Sequence, residues 1–259
     1  MIKKQIFLAP LYGIRSSLEK SLKINDSLLL RNINLIDKES DYFKTYNLQG
    51  NYNVVLEINY KYNSKDPSEP VPGVFLNIVN KFDASLVVFG DGKAGVAAVI
   101  PDIKSNNYPG GEINFSGKVG YGESLDQEIN ENFIEYYEKF SKAYDMRPVA
   151  FDVFRRSQDR NTNNDKTIDS CIILESIFVP IGERLKKPFI LNGLKILGYD
   201  LNNIKSIDDL IEYRNAIIHA DRKKQLRLLS SSKYTYQWFK NTFKLIRKIL
   251  RKYVDNPWI

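Results

Sequence analysis

The chain changes its residue pattern near Gly117–Gly122, and this change limits the folds open to it. Before it, short apolar runs are separated by loops rich in proline, glycine and polar residues, such as Asn63–Pro72 and Asn106–Gly111. After it, apolar residues recur at helical spacing to the end of the chain. We therefore predict an α+β protein, with a mixed α/β domain at residues 1–120 and an all-α domain at residues 121–259.

Alternation with a period of two predicts strands in the first domain. It is clearest where Val54, Leu56 and Ile58 alternate with more polar neighbours. The predicted elements are, in chain order, a strand at Ser27–Ile36, a short helix capped by Asp37, a strand at Val54–Tyr62, a helix around Val74–Phe82 that follows Pro72, and strands at Gly95–Ile100 and Ile113–Val119.

Three glycines, Gly90, Gly92 and Gly95, have the spacing of a dinucleotide-binding loop. Such a loop needs a helix after it and an acidic residue about twenty residues further on. The stretch Gly95–Ile100 favours a strand instead. We therefore predict a turn at these glycines and no dinucleotide site.

Helix-breaking residues divide the second domain into separate helices. The predicted breaks lie at Met146–Pro148, at the polar loop Asn161–Asn164, at Pro180 and at Gly198. The last helix is predicted to run from Ser231 to Val254.

One stretch of this domain, Tyr213–Asp221, contains the only histidine of the chain, His219. We predict a helix with Ser206 as its N-cap, on which Asn215 and His219 share a face and Arg214 flanks them. Histidine exchanges protons near neutral pH, an arginine fork matches phosphate oxygens, and asparagine can bind phosphate or orient the imidazole. This set can cleave a phosphodiester if the 2′-hydroxyl of RNA is the nucleophile, and that chemistry needs no metal.

The spacing of Arg214 and His219 is weak evidence by itself, because a chain with this arginine content produces it by chance. A lone histidine on a half-buried helix is also commonly a packed, hydrogen-bonded residue. From the spacing alone, a catalytic role and a structural role both remain open for His219.

The motif Arg214-Asn215-x-x-x-His219 resembles the signature of HEPN domains, which are all-α modules. The resemblance implies that these three residues form a metal-independent ribonuclease site. The toxin-type HEPN pattern has a tyrosine two residues after the histidine. This chain departs from that pattern, because it has Asp221 at that position. Regulation through such a tyrosine is therefore not implied.

Three upstream stretches are similar to the Apea-like branch of the HEPN family, namely Arg147–Ser157, Asp165–Asp169 and Cys171–Phe178. In that branch a helix that carries Leu-Glu precedes the motif helix by a comparable distance. The resemblance covers about residues 125–254, and it implies a role in cellular or antiviral defence, such as that of a toxin.

Two carboxylates, Asp169 and Glu175, lie in the apolar stretch before the motif helix. We favour structural roles for them, as a helix cap and an inter-helix salt bridge with Arg184 or Arg155. The alternative is that Glu175 faces the motif helix and orients Arg214 or lysine partners.

Arg155 and Arg156 have two possible roles. They can be ion-pair partners, or they can form a second contact to RNA phosphates.

The net charge of +7 and the pI near 9.2 favour a polyanionic partner. Arg222, Lys223 and Lys224 follow the motif directly, and the last helix carries cations on one side and apolar residues on the other. This basic surface is either a solvated face that closes a bundle or a surface that binds RNA phosphates beside the motif. A membrane-surface helix fits less well, because its aromatic residues are needed to cover the bundle.

The single cysteine, Cys171, excludes a disulfide framework and a Cys/His zinc site, and we predict no metal and no cofactor. The apolar run in Met1–Pro10 is too short for a signal peptide, and no segment has the length of a membrane span. We predict a cytoplasmic protein that makes no membrane contact.

Attack by a 2′-hydroxyl is fastest when one group removes its proton and another protonates the departing 5′-oxygen. Because the chain has one histidine, we predict a homodimer in which two copies of His219 and two of Arg214 surround one cleft, as HEPN relatives pair. The predicted function is that of an endoribonuclease in defence or stress response, with the first domain sensing a protein or phage-derived trigger. The alternative is a non-catalytic HEPN module that binds RNA, nucleotide or a protein partner.

Overall fold

The structure is a computed structural model of the chain. It describes residues 2–14, 21–33, 43, 52–63, 75–89, 94–102, 113–114, 129, 131–231 and 233–257. The chain divides into two compact units, Met1–Glu138 and Lys139–Ile259. This division lies later in the sequence than the domain boundary predicted at residue 120.

An antiparallel sheet forms the first unit. Its strands within the described residues are β1 (Ile2–Tyr12), β2 (Leu22–Lys23), β3 (Leu28–Asn32), β4 (Val54–Asn63), β5 (Gly95–Val96), β6 (Ala98–Pro101) and β7 (Ile113–Asn114). Their order across the sheet is β2-β3-β4-β1-β6-β7, and β5 also pairs with β1. The central pair is long, since β1 and β4 stay in register from Ile2 opposite Asn63 to Leu11 opposite Val54.

The alternation along β4 gives the sheet two apolar faces. Val54, Leu56 and Ile58 are buried in the core that also contains helix α1 (Phe75–Phe89), whereas Val55 lies in a separate cluster. Successive side chains of a strand point to opposite faces, so this arrangement confirms the period of two predicted for β4.

Asp83 links α1 to strand β5. This residue is only 5% exposed, and its Oδ1 accepts a hydrogen bond of 2.7 Å from the backbone N–H of Val96. The Cβ of any residue larger than glycine at position 95 would lie 2.7 Å from the same oxygen. A larger residue would therefore force the side chain of Asp83 or Tyr12 to shift, and Gly95 begins a strand, as predicted.

One other strand of this unit is shorter than predicted, and several predicted features lie outside the described residues. The strand predicted at Ser27–Ile36 is shorter, because Ser27 lies in a bend where its N–H bonds to the side chain of Asn25 at 2.8 Å. The predicted cap Asp37, the residue Pro72 and the glycines at 90 and 92 lie outside the described residues.

The described elements of the second unit are helices. In chain order they are α2 (Glu131–Met146, within which the division between the units falls), α3 (Pro148–Ser157), α4 (Asn163–Phe178), α5 (Lys186–Ile196), α6 (Leu201–Ile218), α7 (Arg222–Ser230) and α8 (Tyr236–Asp255). Helix α4 is the common partner in this unit, since it packs against α3, α5, α6 and α8. The protein therefore combines an antiparallel sheet with a helical second half, as the predicted α+β class requires.

Local signals set several helix ends as predicted. Helix α3 starts at Pro148, and α5 ends before Gly198, whose φ of +72° suits glycine. Helix α4 begins earlier than predicted, because Thr162 is its N-cap: the Thr162 Oγ1 accepts a hydrogen bond from the N–H of Asp165 at 3.0 Å. Asn163 is therefore the first residue of the helix.

Two predicted helix starts are wrong. Helix α6 begins at Leu201 because Asp200, not Ser206, is its N-cap, and the Asp200 Oδ1 accepts the N–H of Asn203 at 2.8 Å. The hydroxyl of Ser206 instead donates to a backbone carbonyl inside the helix. The last helix begins at Tyr236 rather than Ser231 and is preceded by the separate helix α7, which the sequence analysis did not predict.

Candidate functional site

The last turn of α6 presents the motif residues with increasing exposure. Tyr213 is buried, Arg214 and Asn215 are half-buried, and His219 is exposed. The helix ends at Ile218, so His219 is its C-cap, and its backbone N–H still bonds to the carbonyl of Asn215 at 3.1 Å. Asn215 and His219 are therefore one helical turn apart, as predicted.

Arg214 is held between α6 and α4. Its Nη2 lies 3.4 Å from Oε1 of Glu175, and its Nη1 donates to Oδ1 of Asn215 at 3.1 Å. The other carboxylate oxygen of Glu175 accepts a hydrogen bond of 2.5 Å from Nζ of Lys186. Since the Arg214 and Glu175 side chains are 24% and 18% exposed, solvent screens this pair less than a surface pair.

This arrangement combines the two roles considered for Glu175. The carboxylate forms an inter-helix salt bridge, and it also faces Arg214 of the motif helix. The contacts match the alternative rather than the favoured partners: in the described part of the chain Glu175 binds Lys186 and Arg214, and Asp169 binds Arg160 at 2.9 Å.

A cluster of aromatic rings packs around Tyr213, the residue before Arg214. The hydroxyl of Tyr213 donates to Oδ1 of Asn164 on α4 at 2.9 Å. Its ring stacks on Tyr234, with 5.5 Å between centroids, and meets the edge of Phe239 on α8 at 5.3 Å. Burial raises the pKa of Tyr213, so the ring is a neutral packing group. These contacts fix the backbone that carries Arg214.

A tight reversal joins the motif to α7. Ala220 has a φ of +49°, and the N–H of Asp221 bonds back to the carbonyl of Ala216 at 3.1 Å. The side chain of Asp221 then caps α7 by accepting the N–H of Lys224 at 2.9 Å. His219 is thus fixed through its backbone, while its side chain lies at the surface.

The basic residues after the motif lie on α7. Arg222 and Lys223 are exposed in its first turn, whereas Lys224 is half-buried and lies 3.5 Å from Glu212. Gln225 donates to the carbonyl of Ala216 at 2.9 Å and holds α7 against α6. Two of the three α7 cations predicted to bind RNA therefore face solvent directly beyond His219.

Arg155 and Arg156 lie at the end of α3. Arg156 is exposed, and its Nε donates to the carbonyl of Asp152 one turn earlier at 3.3 Å. Burial raises the pKa of Tyr144 on α2, and the positive charge of Arg155 opposes that increase. These contacts belong to α2 and α3.

Cys171 lies close to the ion pair but is not a nucleophile. It is buried, and burial raises the pKa of its thiol to about 12, although the neighbouring charge of Arg214 opposes that increase. Cys171 is therefore a small core residue, as predicted.

Sequence reasoning missed two residues of this site. Lys186 shares the Glu175 carboxylate, and Gln225 holds α7 in place. A polar residue four places into a basic stretch gives no distinctive signal, and the Lys186 contact joins separate helices.

No described helix is long and apolar enough to cross a lipid bilayer. No protein-family model, curated protein or solved structure matches the chain. A function for the chain can therefore be inferred only from the motif and its geometry.

Proposed function

We propose that the protein is a metal-independent endoribonuclease of the HEPN type. The observation that carries the proposal is the fixed guanidinium of Arg214 on the same helix end as the exposed His219. A pre-positioned cation beside an accessible proton-transfer group is what 2′-hydroxyl attack on a phosphodiester requires.

Each residue has a distinct role in this proposal. His219 removes the proton of the 2′-hydroxyl, the 2′-oxygen attacks phosphorus, and the bond from phosphorus to the 5′-oxygen breaks. Arg214 stabilises the charge of the pentacoordinate phosphorane, since each terminal nitrogen retains a second hydrogen beyond those directed at Glu175 and Asn215. Glu175 and Asn215 position the guanidinium, and the exposed Arg222 and Lys223 bind flanking phosphates.

The departing 5′-oxygen needs a proton from a second group. We propose that a homodimer supplies it through His219 of a second copy, and the exposure of this side chain supports that arrangement. Mixing His219→Ala subunits in excess with wild type should then sharply lower cleavage per wild-type subunit. Unchanged cleavage, or a fully active monomer by light scattering, would contradict the dimer.

The central experiment measures cleavage of mixed single-stranded RNA by the purified protein in excess EDTA. We expect activity to persist and to give 2′,3′-cyclic phosphate or its hydrolysed form, together with 5′-hydroxyl ends. His219→Ala, whose exposed position should leave the fold intact, is the matched control and should be inactive. Loss of activity in EDTA with recovery in magnesium would reject this mechanism.

A second candidate function is RNA, nucleotide or protein binding without cleavage by the same module. The ion pair between Arg214 and Glu175 favours it, because a carboxylate at 3.4 Å competes with phosphate for the guanidinium. Salt-sensitive RNA binding with no cleavage product would support this candidate. For either function, the HEPN resemblance suggests a defence role in the cytoplasm, with the first unit sensing a protein or phage-derived trigger.

A further inference from the structure

Helix α8 carries an exposed ridge formed by four residues at intervals of four, Tyr236, Lys240, Lys244 and Lys248. We call this set the Tyr–Lys ridge. Residues four apart lie one above the other on a helix, with a rise of about 6 Å per step. Tyr236 is 75% exposed although it is aromatic, and the three lysines are exposed as well.

Among the described residues, the three lysines of the ridge lack the ion pairs that several other lysines of the helical unit form. Lys186, Lys187 and Lys233 are bound to carboxylates. No described acidic side chain forms an ion pair with a ridge lysine, and the sequence of α8 has no acidic residue before Asp255. The ridge therefore carries uncompensated positive charge in one line.

Other cations of α8 are used within the fold. Nη2 of Arg247 donates to Gln158 at 3.2 Å. Nζ of Lys252 donates to the carbonyl of Leu197 at 3.0 Å and lies 4.3 Å from the ring centroid of Tyr199. The helix thus separates cations that pack from cations that face solvent.

The start of the ridge is joined to the motif by direct packing. Phe239, which precedes Lys240, meets the ring of Tyr213 at 5.3 Å, and Tyr213 precedes Arg214. The N-terminal end of α8 is therefore fixed to the end of the motif helix, and the ridge leads away from it.

We propose that the Tyr–Lys ridge binds the backbone of single-stranded RNA, with one base stacked on Tyr236 and successive phosphates on Lys240, Lys244 and Lys248. Lysines without carboxylate partners are available to phosphates, and an exposed ring stacks on any base. A single strand is chosen because its backbone can place the 2′-oxygen, phosphorus and 5′-oxygen in line. This inference rests on the proposed function and names the path by which the substrate approaches the motif.

The experiment measures the salt dependence of binding to a 2′-O-methyl RNA oligonucleotide, which cannot be cleaved because it lacks the nucleophile. In Lys240→Gln, Lys244→Gln and Lys248→Gln combined, three phosphate contacts are lost. The slope of log K against log salt should become shallower by about 2, since each contact to a single strand contributes about 0.7.

The control variant removes the same charge elsewhere on the unit, at the exposed residues Lys139, Lys142 and Lys205, each changed to Gln. We expect its slope to stay close to that of wild type. Equal slopes in the ridge and control variants, or no RNA binding by wild type, would overturn the proposal. Loss of binding to anionic lipid vesicles by the ridge variant, with its RNA slope equal to the control, would instead assign the ridge to membranes and also overturn it.

The stacking part is tested separately at Tyr236. Tyr236→Ala should weaken binding by about tenfold, whereas Tyr236→Phe keeps the ring and should bind like wild type. Equal binding by the two variants would overturn the stacking contact. RNA binding through the ridge without cleavage would support this inference and reject the endonuclease, whereas cleavage with an unchanged ridge slope would do the reverse.

Discussion

The two ends of the motif are built in opposite ways. The anchored part, Tyr213–Asn215, is packed against an aromatic cluster and bound to Glu175 across two helices. The exposed part, His219–Lys224, is held mainly by backbone hydrogen bonds and a helix cap, and α7 contains no buried residue. Arg214, a cation held by an ion pair, and His219, an exposed imidazole, thus lie only five positions apart in the chain.

This difference predicts how substitutions in each part affect stability and chemistry. A change in the anchored part alters both the fold and the position of Arg214, because the same contacts serve both. A change in the exposed part should alter chemistry or local order with little effect on global stability. The comparison therefore gives a measurable way to separate a functional residue from a structural one.

The largest expected effect is on stability at Tyr213. Tyr213→Ala removes a buried ring from the cluster with Tyr234 and Phe239 and should lower the free energy of unfolding by about 3–5 kcal/mol. Tyr213→Phe keeps the ring and loses the bond to Asn164, at a cost of about 1 kcal/mol. Urea denaturation followed by circular dichroism measures both. Similar losses in the two variants would show that the ring contacts contribute little.

The next effect separates Arg214 from His219. Each change to alanine should reduce cleavage by about 100-fold or more. Only Arg214→Ala should also destabilise the protein, by about 1 kcal/mol, because it leaves the half-buried Glu175 with Lys186 alone. Paired cleavage and denaturation measurements test this. An unfolded His219→Ala protein would favour the packed role considered for that histidine.

A smaller effect is expected at Glu175. Glu175→Gln keeps the shape but removes the charge that positions Arg214, and we expect cleavage to fall by about tenfold. Lys186→Gln is the matched control, since it leaves the Arg214 pair in place, and it should stay near wild-type activity. Equal activity of Glu175→Gln and Lys186→Gln would remove Glu175 from the site and leave it a structural bridge.

In the exposed part, Asp221→Ala removes the N-cap of α7, a contact worth about 1 kcal/mol. Because α7 buries no residue, the loss should show as amide hydrogen exchange about fivefold faster within Arg222–Ser230, with the global unfolding midpoint unchanged. Asp221→Asn retains a capping oxygen and should exchange like wild type. A shift of the global midpoint in Asp221→Ala would mean that α7 is part of the cooperative core.

The last effect concerns Cys171 on α4, which lies beside the Arg214–Glu175 pair of the anchored part. Its thiol has a pKa raised from an ordinary value of 9.0 to about 12 by burial, so iodoacetamide should not label the folded protein at pH 8. As the pH rises above 9, the thiol ionises in the unfolded chain but not in the folded one, which stabilises the unfolded state. The free energy of unfolding is therefore unaffected by ionisation of this thiol below pH 9 and declines as the pH rises toward 12. Denaturation of wild type and Cys171→Ala at pH 8 and pH 10.5 should show the extra decline only in wild type. Rapid labelling at pH 8 would contradict the burial.

The features that were predicted correctly are those set by residues close together in the sequence. The alternation in β4, the break at Pro148 and the end of α5 at Gly198 each follow from local backbone geometry. The one-turn separation of Asn215 and His219 follows for the same reason.

Competition between local signals explains the errors. Ser206 was a plausible cap, but Asp200 lies directly after the turn at Gly198 and captures the N–H of Asn203 first. Helix α7 was missed because its cap, Asp221, belongs to the motif and its charges resemble those of the final helix. The sequence did not decide between the partners considered for Glu175 or identify Lys186, because both depend on how α4, α5 and α6 pack.

Ala220 has a further consequence for the entropy of the site. Among the described residues it is the one non-glycine residue with positive φ, a conformation that costs an L-residue about 1 kcal/mol. Glycine would relieve that strain but would let the backbone visit many more states. The methyl group thus narrows the range of directions open to the chain just after His219, and so limits where α7 and its exposed cations can lie relative to that residue.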